Sequence, residues 1–323
     1  MNLMMRAWWR TVADLLSVGL LLTHIGCTAL IGSWDYGLPN DAASTEDRLW
    51  HIIFPLSIAA ADHCVFKRED TYGFFLIEPS KLPLEGSASA GGASALVRFV
   101  HARSPAGKAG MSIGDAIIAV NGDSVLSLSA TQVVGMVNRL TRVKIQPLTL
   151  RLRRENVEWD INLWAVPSCR MNVKLVKSPV INALSDGSAI LVTTGLLEFV
   201  RSPDQLAWVL AHEVGHHALE HAETVKLQMM LNRFLSSTVG EKPKQISQLD
   251  LERQADRFAA DLMVRAGFDL REARRFIKWV QAHQVHQTEN NLNRSHPTDE
   301  ERLEAFDRMI EAIDRGAQPA IGP

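Results

Sequence analysis

The feature that most constrains this chain is a pair of histidines four residues apart after an apolar run. The motif is His212-Glu213-Val214-Gly215-His216, and residues 206–211 precede it. Positions four apart lie on one face of a helix, with Cβ atoms about 5–6 Å apart, so both imidazoles can reach one metal ion. Glu213 lies beside this pair and can address a water molecule on that ion. The spacing therefore predicts a helix with two metal ligands and a general base.

Signals for a helix surround this motif. Ser202 can cap a helix N-terminus, Pro203 suits its first turn, and Gln205 completes a capping box. The run 206–211 is apolar on every side, which is typical of a buried helix. Two histidines and a glutamate are costly to bury without partners, and a bound metal removes that cost. The context favours a metal site over incidental polar residues in a buried helix.

A second helical pattern supplies a third candidate ligand. It covers about residues 247–266, and its core face includes Ala255. Glu252 lies three residues earlier on that face, where a carboxylate should be paired or bound to metal; a surface glutamate is the alternative. A catalytic zinc usually keeps three protein ligands and one open position. The sequence thus predicts one Zn²⁺ per chain, held by His212, His216 and Glu252.

A further carboxylate follows on the same helix. Asp256 lies at the i+4 position from Glu252 and can orient a histidine ligand by a hydrogen bond. A simple ion pair with Arg253 or Arg257 is the alternative. The Glu-x-x-Ala-Asp pattern, together with the histidine motif, resembles the gluzincin peptidases of family 48 of the metallopeptidases. That family includes the HtpX-like, Oma-like and CAAX prenyl endopeptidase types, and the resemblance implies a zinc endopeptidase.

The resemblance extends over almost half of the chain. Together, Asn182-Ala183, Gly187 and the segment 190–197 resemble the strand before the active helix in that family, which implies a strand along the edge of the cleft. Thr193 and Gly195 are then expected to contact an extended substrate. His217 is offset from the ligand face and is expected to be structural. His221 also recurs in the family pattern, although its five-residue offset from the second histidine is poor spacing for the same ion.

The group that stabilises the tetrahedral intermediate needs a separate candidate. Related peptidases often use a tyrosine or a histidine, and both tyrosines of this chain lie far upstream. His296 is therefore the catalytic candidate, and Arg302 is the second choice. His296 could instead be an inhibitory zinc ligand, or a residue that precedes a helix capped by Thr298 and Glu301.

A β-rich segment precedes the peptidase-like region. Residues 104–111 read as a short helix begun by a proline, and residues 113–122 read as a strand and an Asn-Gly turn. The segment resembles a PDZ domain of the type attached to bacterial periplasmic proteases. Tyr72, Gly73 and Phe74 resemble the loop whose backbone amides hold a peptide C-terminus, so peptides are expected partners. A structural spacer that binds nothing is the alternative.

The N-terminus predicts export. Arg6 and Arg10 precede an apolar stretch over residues 12–31, as in a secretory signal. Gly26 before Cys27 resembles a bacterial lipobox, which makes Cys27 a candidate for lipidation. An uncleaved membrane anchor is the alternative. Both alternatives place the chain in the bacterial periplasm or cell envelope, associated with the membrane through its N-terminal segment.

Export also bears on the two remaining cysteines. Cys64 and Cys169 form an even pair, and an oxidising compartment favours a disulfide between them. Two buried free thiols are the alternative.

These signals divide the chain into four parts. A signal, lipoprotein or anchor segment covers residues 1–33, and a linker with a short helix covers 34–69. A PDZ-like domain covers 70–165, and a zinc metallopeptidase domain covers 166–316. The predicted fold class is α+β, with a β-rich domain before a mainly helical peptidase domain that has a small β edge.

The predicted function is hydrolysis of peptide bonds by a zinc-activated water, with Glu213 as general base. The resemblance implies a role in envelope protein quality control, on polypeptides that are unfolded or have exposed C-termini. The alternative is a peptide-binding quality-control factor that acts through the PDZ-like domain, with latent or minor proteolysis. A net charge of −2, from 34 basic and 36 acidic residues, gives no basic excess for nucleic acid. The sequence indicates no oligomeric state.

Overall fold

The computed structural model describes residues 45–81, 92–144, 146–238, 247–283 and 299–316. The predicted export segment with Cys27, and also His296, lie outside these residues. The helices are α1 (Thr45–Ala59), α2 (Pro105–Lys108), α3 (Ala130–Arg142), α4 (Thr194–Phe199), α5 (Pro203–Ala218), α6 (His221–Thr238), α7 (Gln248–Ala266), α8 (Leu270–Ala282) and α9 (Asp299–Asp314). The strands are β1 (Arg68–Thr71), β2 (Phe74–Ile77), β3 (Leu96–Val100), β4 (Ala116–Val120), β5 (Asp123–Ser124), β6 (Leu148–Arg154), β7 (Val157–Leu163), β8 (Val166–Cys169), β9 (Val173–Val176), β10 (Ala183–Ser185) and β11 (Ile190–Thr193).

The larger sheet forms the β-rich domain. Its strand order is β2-β3-β4-β6-β7, with β5 paired to β4, and the neighbouring strands run antiparallel. Leu148, Leu150 and Leu152 alternate along β6 and are fully buried, because every second side chain of a strand faces the same way. Helix α3 covers that face with Val133 and Val137. The predicted α+β class, with a β-rich domain before a mainly helical region, is confirmed.

Two local predictions in this domain are also confirmed. The short helix α2 begins at Pro105, and Ser104 caps it by accepting a hydrogen bond from the Gly107 amide. Asn121 and Gly122 both have positive φ angles, 49° and 90°, as the turn after β4 requires.

The chain enters and leaves the β-rich domain through one two-stranded ribbon. β1 pairs antiparallel with β8, so Arg68 lies opposite Cys169 and Thr71 lies opposite Val166. A disulfide joins Cys64 to Cys169, with their Cα atoms 5.4 Å apart, and closes the base of the ribbon. The two predicted boundaries of this domain therefore lie side by side on paired strands.

Helix α1 connects the β-rich domain to the helical region. One face of α1 packs on α5, α7 and β8. Leu49, Ile52 and Leu56 on this helix are almost completely buried. Other side chains of α1 meet rings of the larger sheet and of the loop that follows β3: Trp50 lies 4.5 Å from Phe75 and Phe54 lies 4.7 Å from His101, centroid to centroid. The segment predicted as a linker with a short helix therefore contributes helix α1 to the core, as far as the structure describes it.

No helix within the described residues combines the length and the hydrophobicity needed to cross a bilayer.

The buried His101 predicts a pH dependence of stability. Burial lowers its pKa to about 3, and the nearby charges of His51 and Arg103 act in the same direction. Because the unfolded chain binds a proton near pH 6.5 and the folded chain does not, stability falls as the pH drops from 6.5 towards 3. Between pH 7 and pH 5 this group should cost about 2 kcal/mol of unfolding free energy.

Urea unfolding at the two pH values, in wild type and in His101→Asn, measures this contribution. Asparagine retains an acceptor for the Arg103 amide, which donates to His101 Nδ1, but does not titrate. The variant should lose about 2 kcal/mol less than wild type on acidification. An identical loss in both proteins would contradict the assignment.

The disulfide predicts a second effect on stability. Replacing both Cys64 and Cys169 by serine should lower the free energy of unfolding by about 3–5 kcal/mol, because the cross-link spans many residues and restricts the unfolded chain. The sequence separation is 105 residues. Urea titration of the oxidised wild type and the double variant gives the difference. Reduced wild type should unfold with the variant, and equal midpoints for all three samples would refute the prediction.

Candidate metal centre

The two histidines of α5 converge with Glu252 of α7. His212 Nε2 lies 3.1 Å from His216 Nε2 and 3.2 Å from Glu252 Oε2, and His216 Nε2 lies 3.5 Å from Glu252 Oε1. A tetrahedral zinc ion with bonds of about 2.0–2.1 Å needs ligand atoms about 3.3 Å apart. Two imidazole nitrogens and a carboxylate also form a donor set that zinc prefers. The three residues therefore form a possible metal site that fits such an ion.

A close contact between α5 and α7 brings these ligands together. Helix α5 begins at the predicted position, with Ser202 accepting a hydrogen bond from the Gln205 amide and Pro203 in the first turn. The predicted capping box is wrong, because Gln205 Oε1 accepts from the Arg201 amide and not from Ser202. Gly215 faces Ala255 on α7, and a Cβ atom at Gly215 would lie only 3.1–3.2 Å from the Ala255 backbone. The glycine therefore lets the two backbones approach closely enough for Glu252 to reach the histidines.

Asp256 orients the first histidine. Its Oδ1 lies 2.9 Å from His212 Nδ1. Burial alone would raise the pKa of Asp256, but the charge of Arg302 and the hydrogen bond with His212 lower it to about 2. Burial would also lower the pKa of His212, but hydrogen bonds with Asp256 and Glu252 raise it to about 9. The ionised Asp256 thus holds a proton on His212 Nδ1, and a metal ion bound at Nε2 would take the place of the second proton.

Arg302 is paired with Asp256, whereas a contact with the substrate or the oxyanion was predicted for it. Its Nε and Nη2 donate to the two Asp256 oxygens at 2.9 and 2.8 Å, and its guanidinium lies 5.6 Å from the Trp208 ring. Phe306, one turn later on α9, packs on Trp208 at 4.6 Å and anchors the helix. The prediction of a substrate or oxyanion contact for Arg302 is therefore corrected. A bidentate guanidinium–carboxylate pair makes it a positioning residue that acts through Asp256.

Glu213 lies beside the ligand cluster and is held by backbone. Its Oε2 accepts a hydrogen bond of 2.7 Å from the Ser185 amide. Burial raises the pKa of Glu213, against the opposing effects of His212 and His216. A buried carboxylate that is more basic than usual suits the role of a general base.

The smaller sheet corrects the prediction for Thr193 and Gly195. Its strand order is β10-β11-β9, so β11 is the central strand and has no free edge for a substrate. Thr193 caps α4 by accepting from the Leu196 amide at 3.2 Å. Gly195 lies against the Pro179 carbonyl, which would be 2.3 Å from a Cβ atom there. Both residues are therefore structural in this fold.

The free edge belongs to β10, which in the described residues pairs with β11 alone. Asn182 accepts from the Thr193 amide and Asp186 donates to Ala189, so these two residues point towards β11. Alternation along an antiparallel strand then turns the backbone groups of Ala183 and Ser185 outward. The Ser185 amide reaches Glu213, so this edge faces the ligand cluster.

The end of α5 is fastened to the disulfide region. Lys67 donates to the His217 carbonyl at 3.0 Å, and His217 Nε2 donates to the Arg170 carbonyl at 3.0 Å. His217 is almost completely buried, in line with the structural role expected for it. Lys67 lies three residues after Cys64, and Arg170 directly follows Cys169. The ribbon at the disulfide therefore also supports the metal-binding helix.

His221 makes a contact that spacing alone did not predict. Its Nδ1 lies 3.0 Å from His216 Nδ1. Burial and, to a smaller extent, the neighbouring His216 lower the pKa of His221 to about 4. His221 recurs in the family pattern, and this was the signal for it in the sequence. The five-residue spacing does not reveal the turn that places His221 against His216.

The predicted peptide-binding loop stands at the start of the edge strand β2. Gly73 has a φ of 78° and donates its amide to Thr71 Oγ1 at 3.2 Å. A Cβ atom at Gly73 would overlap the side chains of Ser104 and Phe54. Tyr72 is buried, and the Phe74 side chain is half-buried. The glycine is therefore required both by its backbone angle and by close packing.

Comparisons with known proteins bear on both regions. Residues 150–250 match the model of peptidase family M48, residues 203–319 match Peptidase U49, and residues 96–147 match a PDZ domain. The chain is therefore similar to M48 peptidases over residues 150–250 and to PDZ domains over residues 96–147. The M48 match includes β10, β11 and the two histidines, and the U49 match also includes Glu252, Asp256 and Arg302. The predicted resemblance to family 48 with a PDZ-like domain before it is confirmed.

Two individual proteins are similar to parts of this chain, and each covers less of it than the three family models do together. The bovine (Bos taurus) mitochondrial metalloendopeptidase OMA1 is 29% identical over 184 residues, which cover 48% of this chain. These residues span only 35% of that relative. The HtrA3 PDZ domain bound to the phage-derived ligand FGRWV is 19% identical with a TM-score of 0.24, over 31% of this chain and 88% of that chain. A TM-score of that size does not establish a shared fold.

The support of Asp256 by Arg302 predicts a change in metal affinity. Arg302→Gln should weaken zinc binding by about 10- to 100-fold, because Asp256 loses its cationic partner and no longer fixes His212. Arg308→Gln, at an exposed position on the same helix, is the matched control and should bind zinc like wild type. Competition with a fluorescent chelator measures both. An Arg302 variant with wild-type affinity would contradict this account of the site.

Proposed function

We propose that this protein is a zinc-dependent endopeptidase that hydrolyses polypeptides with Glu213 as general base. One observation carries the proposal: a buried carboxylate lies beside a His–His–Glu cluster and is hydrogen-bonded to the free edge of a strand. A structural metal site has no use for an additional base. The M48-type match and the similarity to a metalloendopeptidase support the same reading.

His212, His216 and Glu252 would hold the ion, and a zinc ion there would supply Lewis acidity that activates water and polarises a carbonyl. A side chain of the protein transfers the proton of the attacking water. Glu213, made more basic by burial, takes a proton from the attacking water and delivers it to the leaving amine. The water oxygen forms the new bond to the carbonyl carbon, and the C–N bond breaks, so no covalent enzyme intermediate is needed.

The β10 edge is the proposed substrate contact. An extended peptide can pair with the outward backbone groups of Ala183 and with the Ser185 carbonyl, as strands add to exposed edges elsewhere. Such pairing uses main-chain groups and does not depend on a particular sequence. The Ser185 amide, which donates to Glu213, would then lie between the general base and the bound substrate. This geometry favours unfolded or extended polypeptides over folded ones.

The proposed setting is protein quality control in the bacterial periplasm or cell envelope. The basic and apolar N-terminus supports export and membrane association. The disulfide between Cys64 and Cys169 suits an oxidising compartment. The PDZ domain suits capture of exposed C-termini.

A second candidate function is peptide binding by the PDZ domain, with latent or minor proteolysis. Strand β2 stands at the edge of the larger sheet, where a peptide strand can add. The Gly73 amide, however, already donates to Thr71. This alternative would be favoured if a protein without its catalytic base still fulfilled the cellular role.

The experiment compares wild type with Glu213→Gln. Both should bind one zinc per chain, while the variant should cleave casein about 10²- to 10⁴-fold more slowly, because it cannot accept the proton. Glutamine keeps an oxygen for the Ser185 amide, so the local structure should persist. Glu198→Gln, at an exposed position on α4, is the matched control and should cleave like wild type.

Retained cleavage by Glu213→Gln would remove Glu213 from the mechanism. Zinc in both proteins with cleavage by neither would favour the peptide-binding alternative. Absence of zinc from wild type would overturn the proposal.

A further inference from the structure

The two ligand histidines have different partners on their outer nitrogens. His212 Nδ1 meets the Asp256 carboxylate at 2.9 Å, whereas His216 Nδ1 meets His221 Nδ1 at 3.0 Å. The rings of His216 and His221 lie 4.9 Å apart and nearly perpendicular, at 82°. His221 is only 4% exposed. The second ligand therefore faces an imidazole ring where the first faces a carboxylate.

The chemistry of this contact determines which atom carries the proton. A hydrogen bond between two imidazole nitrogens needs one N–H group and one lone pair. His216 Nε2 points at the ligand cluster, 3.1 Å from His212 Nε2, and must keep its lone pair there to bind a cation. The single proton of a neutral His216 is then on Nδ1. His221 must accept at Nδ1 and carry its own proton on Nε2.

The backbone explains how a residue five positions away makes this contact. Helix α5 ends at Ala218, and α6 begins at His221. Between them Glu220 adopts a φ of 56°, a left-handed conformation that is unfavourable for a non-glycine residue. This turn interrupts the helix and sets His221 against the Nδ1 side of His216. In one continuous helix the two side chains would diverge.

We propose that His221 is a positioning residue for the metal site. It accepts the hydrogen bond from His216 Nδ1–H and thereby holds the tautomer and the ring angle in which Nε2 binds the metal. The assignment rests on the proposed zinc site but not on peptidase activity. A role as a fourth ligand does not fit, because the atoms of the ligand cluster come from His212, His216 and Glu252.

The test compares two substitutions of similar size. In His221→Asn, the side-chain Oδ1 takes the place of Nδ1 and can still accept from His216. In His221→Leu, the volume is kept in this buried position but the acceptor is lost. We expect zinc affinity, measured by chelator competition, to stay within about 3-fold of wild type in the asparagine variant and to fall about 10- to 100-fold in the leucine variant. Urea unfolding of the metal-free proteins controls for folding.

A second measurement reads the proton directly. Long-range ¹H–¹⁵N correlation spectra of the zinc-loaded wild type should show His216 protonated at Nδ1 and His221 protonated at Nε2. The opposite tautomer at either residue would overturn the proposal. Equal zinc affinity in all three proteins, or an equal loss in both variants, would also overturn it. Wild type that binds no zinc would refute the proposed function, and this assignment with it.

Discussion

The contact between Gly215 and Ala255 is the constraint on which the metal site depends. The two helices approach so closely there that a Cβ atom on Gly215 would press on the Ala255 backbone. Glu252 lies one turn before Ala255 on α7, and the two histidines flank Gly215 on α5. The approach of the backbones therefore brings two nitrogens and one carboxylate within reach of the same ion. Any larger residue at position 215 would push the ligands apart, because helix separation follows the side chains at the contact.

The cluster is held from several sides by residues distant in sequence. Arg302 on α9 binds Asp256, which binds His212. The ribbon next to the disulfide holds the end of α5 through Lys67. Strand β10 contacts the base through the Ser185 amide. A ligand that must keep its geometry within a few tenths of an ångström needs such fixed supports, since a loose second layer lowers metal affinity.

Sequence patterns predicted the parts of the site that are local. Ser202, Pro203 and the apolar run predicted α5, and the spacing within each helix predicted the ligands. The free edge of the smaller sheet was not predictable in this way, because strand order depends on pairing between distant segments. The segment around Thr193 looked like the edge, but β9 occupies its other side. Arg302 was expected to contact the substrate or the oxyanion. Its actual pairing with Asp256 could not be predicted, because the two residues lie 46 positions apart and the sequence has no local signature for the pair.

The central claim is that two histidines and one carboxylate of this chain bind a single zinc ion. X-ray absorption spectroscopy of the zinc-loaded protein tests it most directly. The account predicts a shell of nitrogen and oxygen ligands only, at about 2.0–2.1 Å, with the multiple scattering of two imidazoles. Sulfur in the shell, a signal for three or more imidazoles, or a protein that takes up no zinc would contradict it.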